Sequence, residues 1–120
     1  MKAKELRIGN IALIENKEVE VDGKLIFQLE KANFVGCDTS DFKPMPLTEE
    51  WLLKFGFKSY DTPFGKLFEF QSGRYTWIID NKGNLHLDYS EYENIANVQY
   101  VHQLQNLYFA LTGEELTLKN

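Results

Sequence analysis

The sequence predicts an α+β fold, two small antiparallel β units with one short and one longer helix in the order βββ-α-βββ-α. Three observations carry this. Short apolar or alternating runs fall into two groups, residues 6–30 and 66–89. A segment that opens Thr48-Glu49-Glu50 and closes on Gly56 separates them. A longer stripe, Val101, Leu104, Tyr108 and Leu111, precedes Gly113 near the end of the chain. The 120 residues amount to one ordinary domain, 1–120, with 43% hydrophobic and 26% charged residues, a globular balance rather than a disordered one.

Each element has a local reason. Leu6 to Glu15 contains Ile11-Ala12-Leu13-Ile14 and reads as a strand, with Gly9-Asn10 as a bend near its start. Glu18 to Val21 alternates polar and apolar residues, as a half-buried strand does. Asp22-Gly23 follows and is read as a hairpin turn into a third strand, Lys24 to Glu30, because Asp-Gly readily supplies the two positive φ angles of a tight turn. Asn33 to Met45 reads as irregular, since Pro44 and Pro46 exclude a continuing central strand. Thr48 is a helix N-cap, with two carboxylates in the first turn at the positive end of the helix dipole.

Lys66 to Gln71, Arg74 to Asp80 and Leu85 to Tyr89 form a second three-stranded meander, turned at Ser72-Gly73 and at Asn81-Lys82-Gly83-Asn84. Ser90 to Asn97 is a polar connection, and Asn97 is read as the cap of a helix from Val98 to Leu111.

Charge narrows the function classes. The net charge of −5 disfavours a long nucleic acid, whose phosphates repel such a chain unless basic residues gather. They gather only in residues 51–77, where Lys54, Lys58, Lys66 and Arg74 stand against Asp61 and Glu69, together with nine aromatic residues. Cys37 is the only cysteine, which excludes an intrachain disulfide and fits a reducing cytoplasm. No apolar run approaches a membrane span, so no membrane partner is expected.

Catalytic patterns are thin. His86 and Asp88 share a strand face but lack a local third metal ligand, and His102 is distant in sequence. Cys37 has no neighbouring base and reads as a small loop or core residue. Glu91, Glu93, Glu114 and Glu115 sit in polar connections and read as solvated charge. No catalytic residue, metal or cofactor is assigned.

Two candidate surfaces stand out. On the second meander, Tyr75 or Trp77 offers a stacking platform, with Arg74, Lys66 and Lys58 at its edge for phosphate. The competing reading makes these aromatics the core of a small domain. On the last helix, His102, Gln105, Asn106 and Phe109 lie along one side, polar apart from Phe109, which suits an interface in a homo-oligomer or with a partner. The competing reading buries Phe109.

The segment from Val101 to Leu116, containing His102 and then Leu104-Gln105-Asn106-Leu107-Tyr108-Phe109-Ala110-Leu111-Thr112-Gly113-Glu114-Glu115-Leu116, resembles the C-terminal signature of a family of small, uncharacterised proteins. These are encoded by phages and prophages of gut-type bacteria. Leu6-Arg7-Ile8-Gly9-Asn10 resembles the family's opening motif, and Lys43 to Phe57, with Pro44-Met45-Pro46-Leu47-Thr48-Glu49-Glu50-Trp51, its middle motif. The resemblance covers about a third of the chain and implies phage origin, without catalytic or ligand residues to carry over.

With these features the sequence points to a non-enzymatic phage accessory protein that acts by binding in the cytoplasm of an infected bacterium. The most concrete version sequesters a small, anionic, nucleotide-like immune signal of the host. The alternative is a protein–protein inhibitor of a host protein or a minor virion component. The third class is a metal-dependent nuclease or phosphodiesterase.

Overall fold

The computed structural model describes residues 1–72, 75–87 and 96–118. By its contacts the chain divides into two compact units, Met1–Pro46 with Tyr100–Glu115, and Leu47–Gln99 with Leu116–Asn120. The α+β class holds. The order of elements differs from the sequence reading.

In the first unit a 3₁₀ turn at Ala3–Glu5 leads to strands β1 (Ile11–Ile14) and β2 (Lys17–Glu20), then helix α1 (Gly23–Val35), strand β3 (Phe42–Pro44) and, after the second unit, helix α3 (Val101–Thr112). The sheet order is β2-β1-β3, all antiparallel, with Ile11 opposite Glu20 and Ala12 opposite Pro44. Pro44 therefore occupies an edge strand, where its missing N–H breaks no ladder.

The expected third strand, Lys24 to Glu30, is instead the first half of α1. Asp22 is not a hairpin residue but the N-cap, accepting a hydrogen bond from the Leu25 N–H at 2.8 Å. Leu25, Ile26, Leu29, Ala32 and Asn33 fall on one helical stripe, and Leu29 is buried. Gly36 ends the helix at φ +75, its conformation open to a residue without Cβ. Ala3, Leu6, Ala12, Val21 and Leu29 form the core of this unit, with Met1, Leu25, Ile26 and Phe42 packed against it.

In the second unit helix α2 (Glu49–Lys54) precedes strands β4 (Lys58–Thr62), β5 (Gly65–Ser72), β6 (Tyr75–Asp80), β7 (Asn84–Leu87) and β8 (Ala96–Asn97), which pair in that order into one antiparallel sheet. Thr48 caps α2 as expected, accepting from the Trp51 N–H, and Gly56 takes a positive φ of +98. The expected meander is present as β5, β6 and β7, extended by β4 and β8. The far end of the Leu85 to Tyr89 run, with Asp88, lies outside the described residues.

Phe68 pairs with Ile79, Ile79 with Leu85, and Phe70 with Trp77, so these side chains share one face of the sheet. Phe68, Trp77, Ile79 and Leu85 are buried, as are Trp51, Leu52, Phe55 and Phe57 in the same unit. Phe57 stacks on Phe70 at 5.1 Å between ring centroids.

The last helix begins three residues later than Val98. Asn97 pairs with Asn84 in the sheet, and the Val98 N–H donates to the Gly83 carbonyl at 2.7 Å, so Asn97 caps nothing. Tyr100 takes the N-cap position and its N–H donates to the Gln103 side chain. Of the expected stripe, Val101, Leu104 and Tyr108 are buried but Leu111 is exposed. Gly113 closes the helix at φ +74. No described helix is long and apolar enough to cross a membrane.

Candidate functional site

The α3 face expected to be an interface is an internal seam rather than an outward face. Gly9 takes φ +94, and its N–H donates to the Val21 carbonyl. The turn it makes buries Asn10 completely. The Asn10 carboxamide accepts from the Arg7 N–H at 2.6 Å and donates to Asn106 Oδ1 at 2.8 Å. On α3, Gln105 Oε1 accepts from the Ile11 N–H at 2.9 Å while its Nε2 donates to the Gly9 carbonyl at 3.1 Å. Asn106 Nδ2 donates to the Glu5 carbonyl. The polar side of α3 thus satisfies the backbone of the Arg7–Asn10 turn, and the opening and closing motifs of the sequence meet here.

This corrects the interface expectation. His102 and Gln105 are each 3% exposed, and Asn106 is half-buried and spent on internal bonds. Phe109, at 39%, is the one exposed residue of the four, and the Arg7 guanidinium lies over its ring. Among these residues His102 is the one with an unmet group: its buried Nδ1 has no hydrogen-bond partner. Burial pushes its pKa below the ordinary imidazole value, against a weaker upward pull from Glu5.

The aromatic platform is also rearranged. Trp77 is fully buried, so it stacks on the core and not on a ligand. Tyr75 is half-buried and shares its strand face with Trp77. Lys58 is exposed but stands opposite Glu69, on the other face of the sheet from Trp77. Lys66 is on the Phe68 face, bound to Glu49 at 2.8 Å, and that partner raises its pKa. Arg74 lies outside the described residues. The structure therefore does not gather Lys58, Lys66, Tyr75 and Trp77 at one point.

What the second unit does contain is a groove of about 390 Å³. Leu52, Phe68 and Ile79 supply apolar lining; Thr48, Glu49, Lys66, Asp80, Asn81, Lys82 and Gln99 supply polar groups. The β6–β7 turn shapes one wall. Burial opposes ionisation of Asp80, but hydrogen bonds from the backbone N–H and side-chain amide of Asn84, and from the Lys82 N–H, outweigh it and hold the carboxyl below its usual range. Gly83 is required at φ +86: a Cβ there would stand 2.6 Å from the Val98 carbonyl oxygen and 2.7 Å from Gln99 Nε2.

Lys82 and Gln99 escaped the sequence reading. Asn81-Lys82-Gly83-Asn84 was legible only as a turn, and nothing local says which groove a turn overhangs. Among the described residues no cluster of three or more His, Cys, Asp or Glu is placed to hold a metal ion. Comparison with protein-family models, characterised proteins and solved structures finds no match for this chain.

Proposed function

We propose that the protein acts by binding, and that it holds a small nucleotide-like anion in the groove of the second unit. The observation that carries this reading is that Lys66 and Lys82 converge on one concavity, beside Glu49 and Asp80 and apolar lining from Leu47, Leu52, Phe68 and Ile79, in a chain of net charge −5. A volume of this size accommodates a small metabolite, and the two ammonium groups beside apolar lining offer it both charge and apolar contact. The rings of the ligand lie against Leu47, the half-buried apolar residue of the lining, and its phosphate exchanges Glu49 for itself at the Lys66 ammonium. With the resemblance to phage proteins, the reading places the protein in the cytoplasm of an infected bacterium, where it sequesters a host immune signal.

Calorimetry with a panel of cyclic and linear nucleotides tests it. At least one nucleotide is expected to bind, and Lys82→Ala is expected to weaken it about tenfold to a hundredfold, the size of a lost charge-assisted contact. A panel without a binder, or a binder indifferent to both Lys66→Ala and Lys82→Ala, overturns the proposal.

A further inference from the structure

Helix α1 has two faces. Its inner stripe packs into the first unit; its outer arc, Lys24, Phe27, Gln28, Lys31, Phe34 and Val35, is exposed throughout. Phe34 is 91% exposed, Phe27 67% and Val35 61%. Ile8, 65% exposed, adjoins the start of this arc: its Cδ1 lies 3.7 Å from where a Gly23 Cβ would stand. Two phenylalanines two turns apart on one helix face, with further apolar side chains at both ends, form a patch of the kind that marks an association surface.

The spacing identifies the occupant. Lys24 and Lys31 repeat after seven residues, as do Phe27 and Phe34, so they take the two seam positions of a heptad. In a parallel pair of such helices each seam position meets its own copy, and lysine meets lysine. In an antiparallel pair the two seam positions meet each other, and every lysine meets a phenylalanine.

We infer that the protein forms a two-fold dimer through the outer faces of two antiparallel α1 helices, centred at the level of Leu29. Lys24 then lies against Phe34 of the second copy, and Phe27 against Lys31 of the second copy. Each lysine lays its aliphatic stem on a ring and its ammonium near the ring face. Phe34 of the second copy also reaches Ile8, because Gly23 has no side chain to intervene. Moving the register one turn towards the C-terminus sets Lys31 on Lys31 at the axis, and one turn the other way leaves Phe34 and Val35 without a helix opposite. The pattern is complementary to itself under the one symmetry that a closed dimer needs. The inference is independent of the groove and stands or falls without it.

Sedimentation equilibrium from one to several hundred micromolar tests the dimer, and mixed-disulfide formation tests the register. A reversible dimer is expected, with Phe34→Lys, which sets a second ammonium against Lys24 of the other copy, raising its Kd at least tenfold while the far-ultraviolet circular dichroism is unchanged. In a Cys37→Ser background, chains carrying Phe27→Cys and chains carrying Lys31→Cys are expected to cross-link on mild oxidation much faster when mixed than either alone. A chain that stays monomeric over the whole range, or a dimer whose Kd ignores Phe34→Lys, overturns the inference. So does a mixture that cross-links no faster than its components.

Discussion

The Arg7 guanidinium carbon lies 4.1 Å from the centroid of the Phe109 ring, while its two terminal nitrogens grip the Glu115 carboxylate at 2.7 and 3.2 Å. One side chain thus covers an exposed aromatic ring of α3 and ties down the residues that follow the helix. The Arg7 contact holds the Glu115 carboxyl below its usual range. Both charged side chains are partly exposed, so solvent screens the pair and its value is modest.

Arg7→Ala is therefore expected to lower stability by about 1–2 kcal/mol, combining the charged hydrogen bonds with loss of the ring contact. Urea unfolding measures it. A double-mutant cycle with Phe109→Leu isolates the ring contact, for which a coupling of about 0.5–1 kcal/mol is expected. Additive effects would show that Arg7 merely passes near the ring.

Gln105 presents a harsher case. Its carboxamide is buried and serves both the Ile11 N–H and the Gly9 carbonyl. Gln105→Ala leaves a donor and an acceptor stranded, at a cost of about 2–4 kcal/mol. Gln105→Glu keeps the acceptor for Ile11 but loses the donor to Gly9 and buries a charge, so it is expected to be at least as damaging above pH 5 and to recover partly as the carboxyl protonates on acidification. Equal midpoints for wild type and Gln105→Ala in urea would contradict the seam.

Protonation of His102 carries a sign that can be checked. The folded pKa is depressed by burial below the reference value of 6.5, so below that pH the unfolded chain takes up a proton that the folded chain refuses. Above pH 6.5 the group contributes no pH dependence. Stability is expected to fall as pH drops below 6.5, and to level once pH passes the folded pKa. His102→Gln is expected to flatten this segment of the profile. Nuclear magnetic resonance titration of the ring gives the pKa directly, and a value above 6.5 would reverse the argument.

Gly83→Ala tests the wall of the groove. The alanine would have to hold φ +86 and meet a backbone carbonyl at 2.6 Å, which cannot yield as a flexible side chain does. A loss of at least about 2 kcal/mol is expected from strain and displacement together. A neutral substitution would show that the turn sits farther from Val98.

Much of the fold is written locally. Thr48, the residues of β5 to β7, and Gly113 announce their elements because caps, alternation and positive φ need only near neighbours. Helix α1 stands where a strand is expected because Asp22-Gly23 serves equally as a hairpin turn and as a cap with the first helical residue, and Leu25-Ile26-Phe27 satisfies strand and helix alike. The signal that decides it, Gly36 after a stripe ending at Asn33, lies beyond the apparent strand. The polar stripe of α3 suggests an outward face because polar helix faces are normally solvated. Its partners lie 94 and more residues away in sequence, and no local pattern reports them. The groove is non-local in the same way, assembled from α2, β5, the β6–β7 turn and Gln99.

The central claim is that this chain holds a small anion. Mass spectrometry, native and then denaturing, on protein purified from phage-infected cells tests it most directly. A mass excess is expected on the native protein that is released intact on denaturation, carries phosphate and is absent from Lys66→Ala/Lys82→Ala. Native protein at its bare sequence mass, or an excess that the double variant retains, would contradict it.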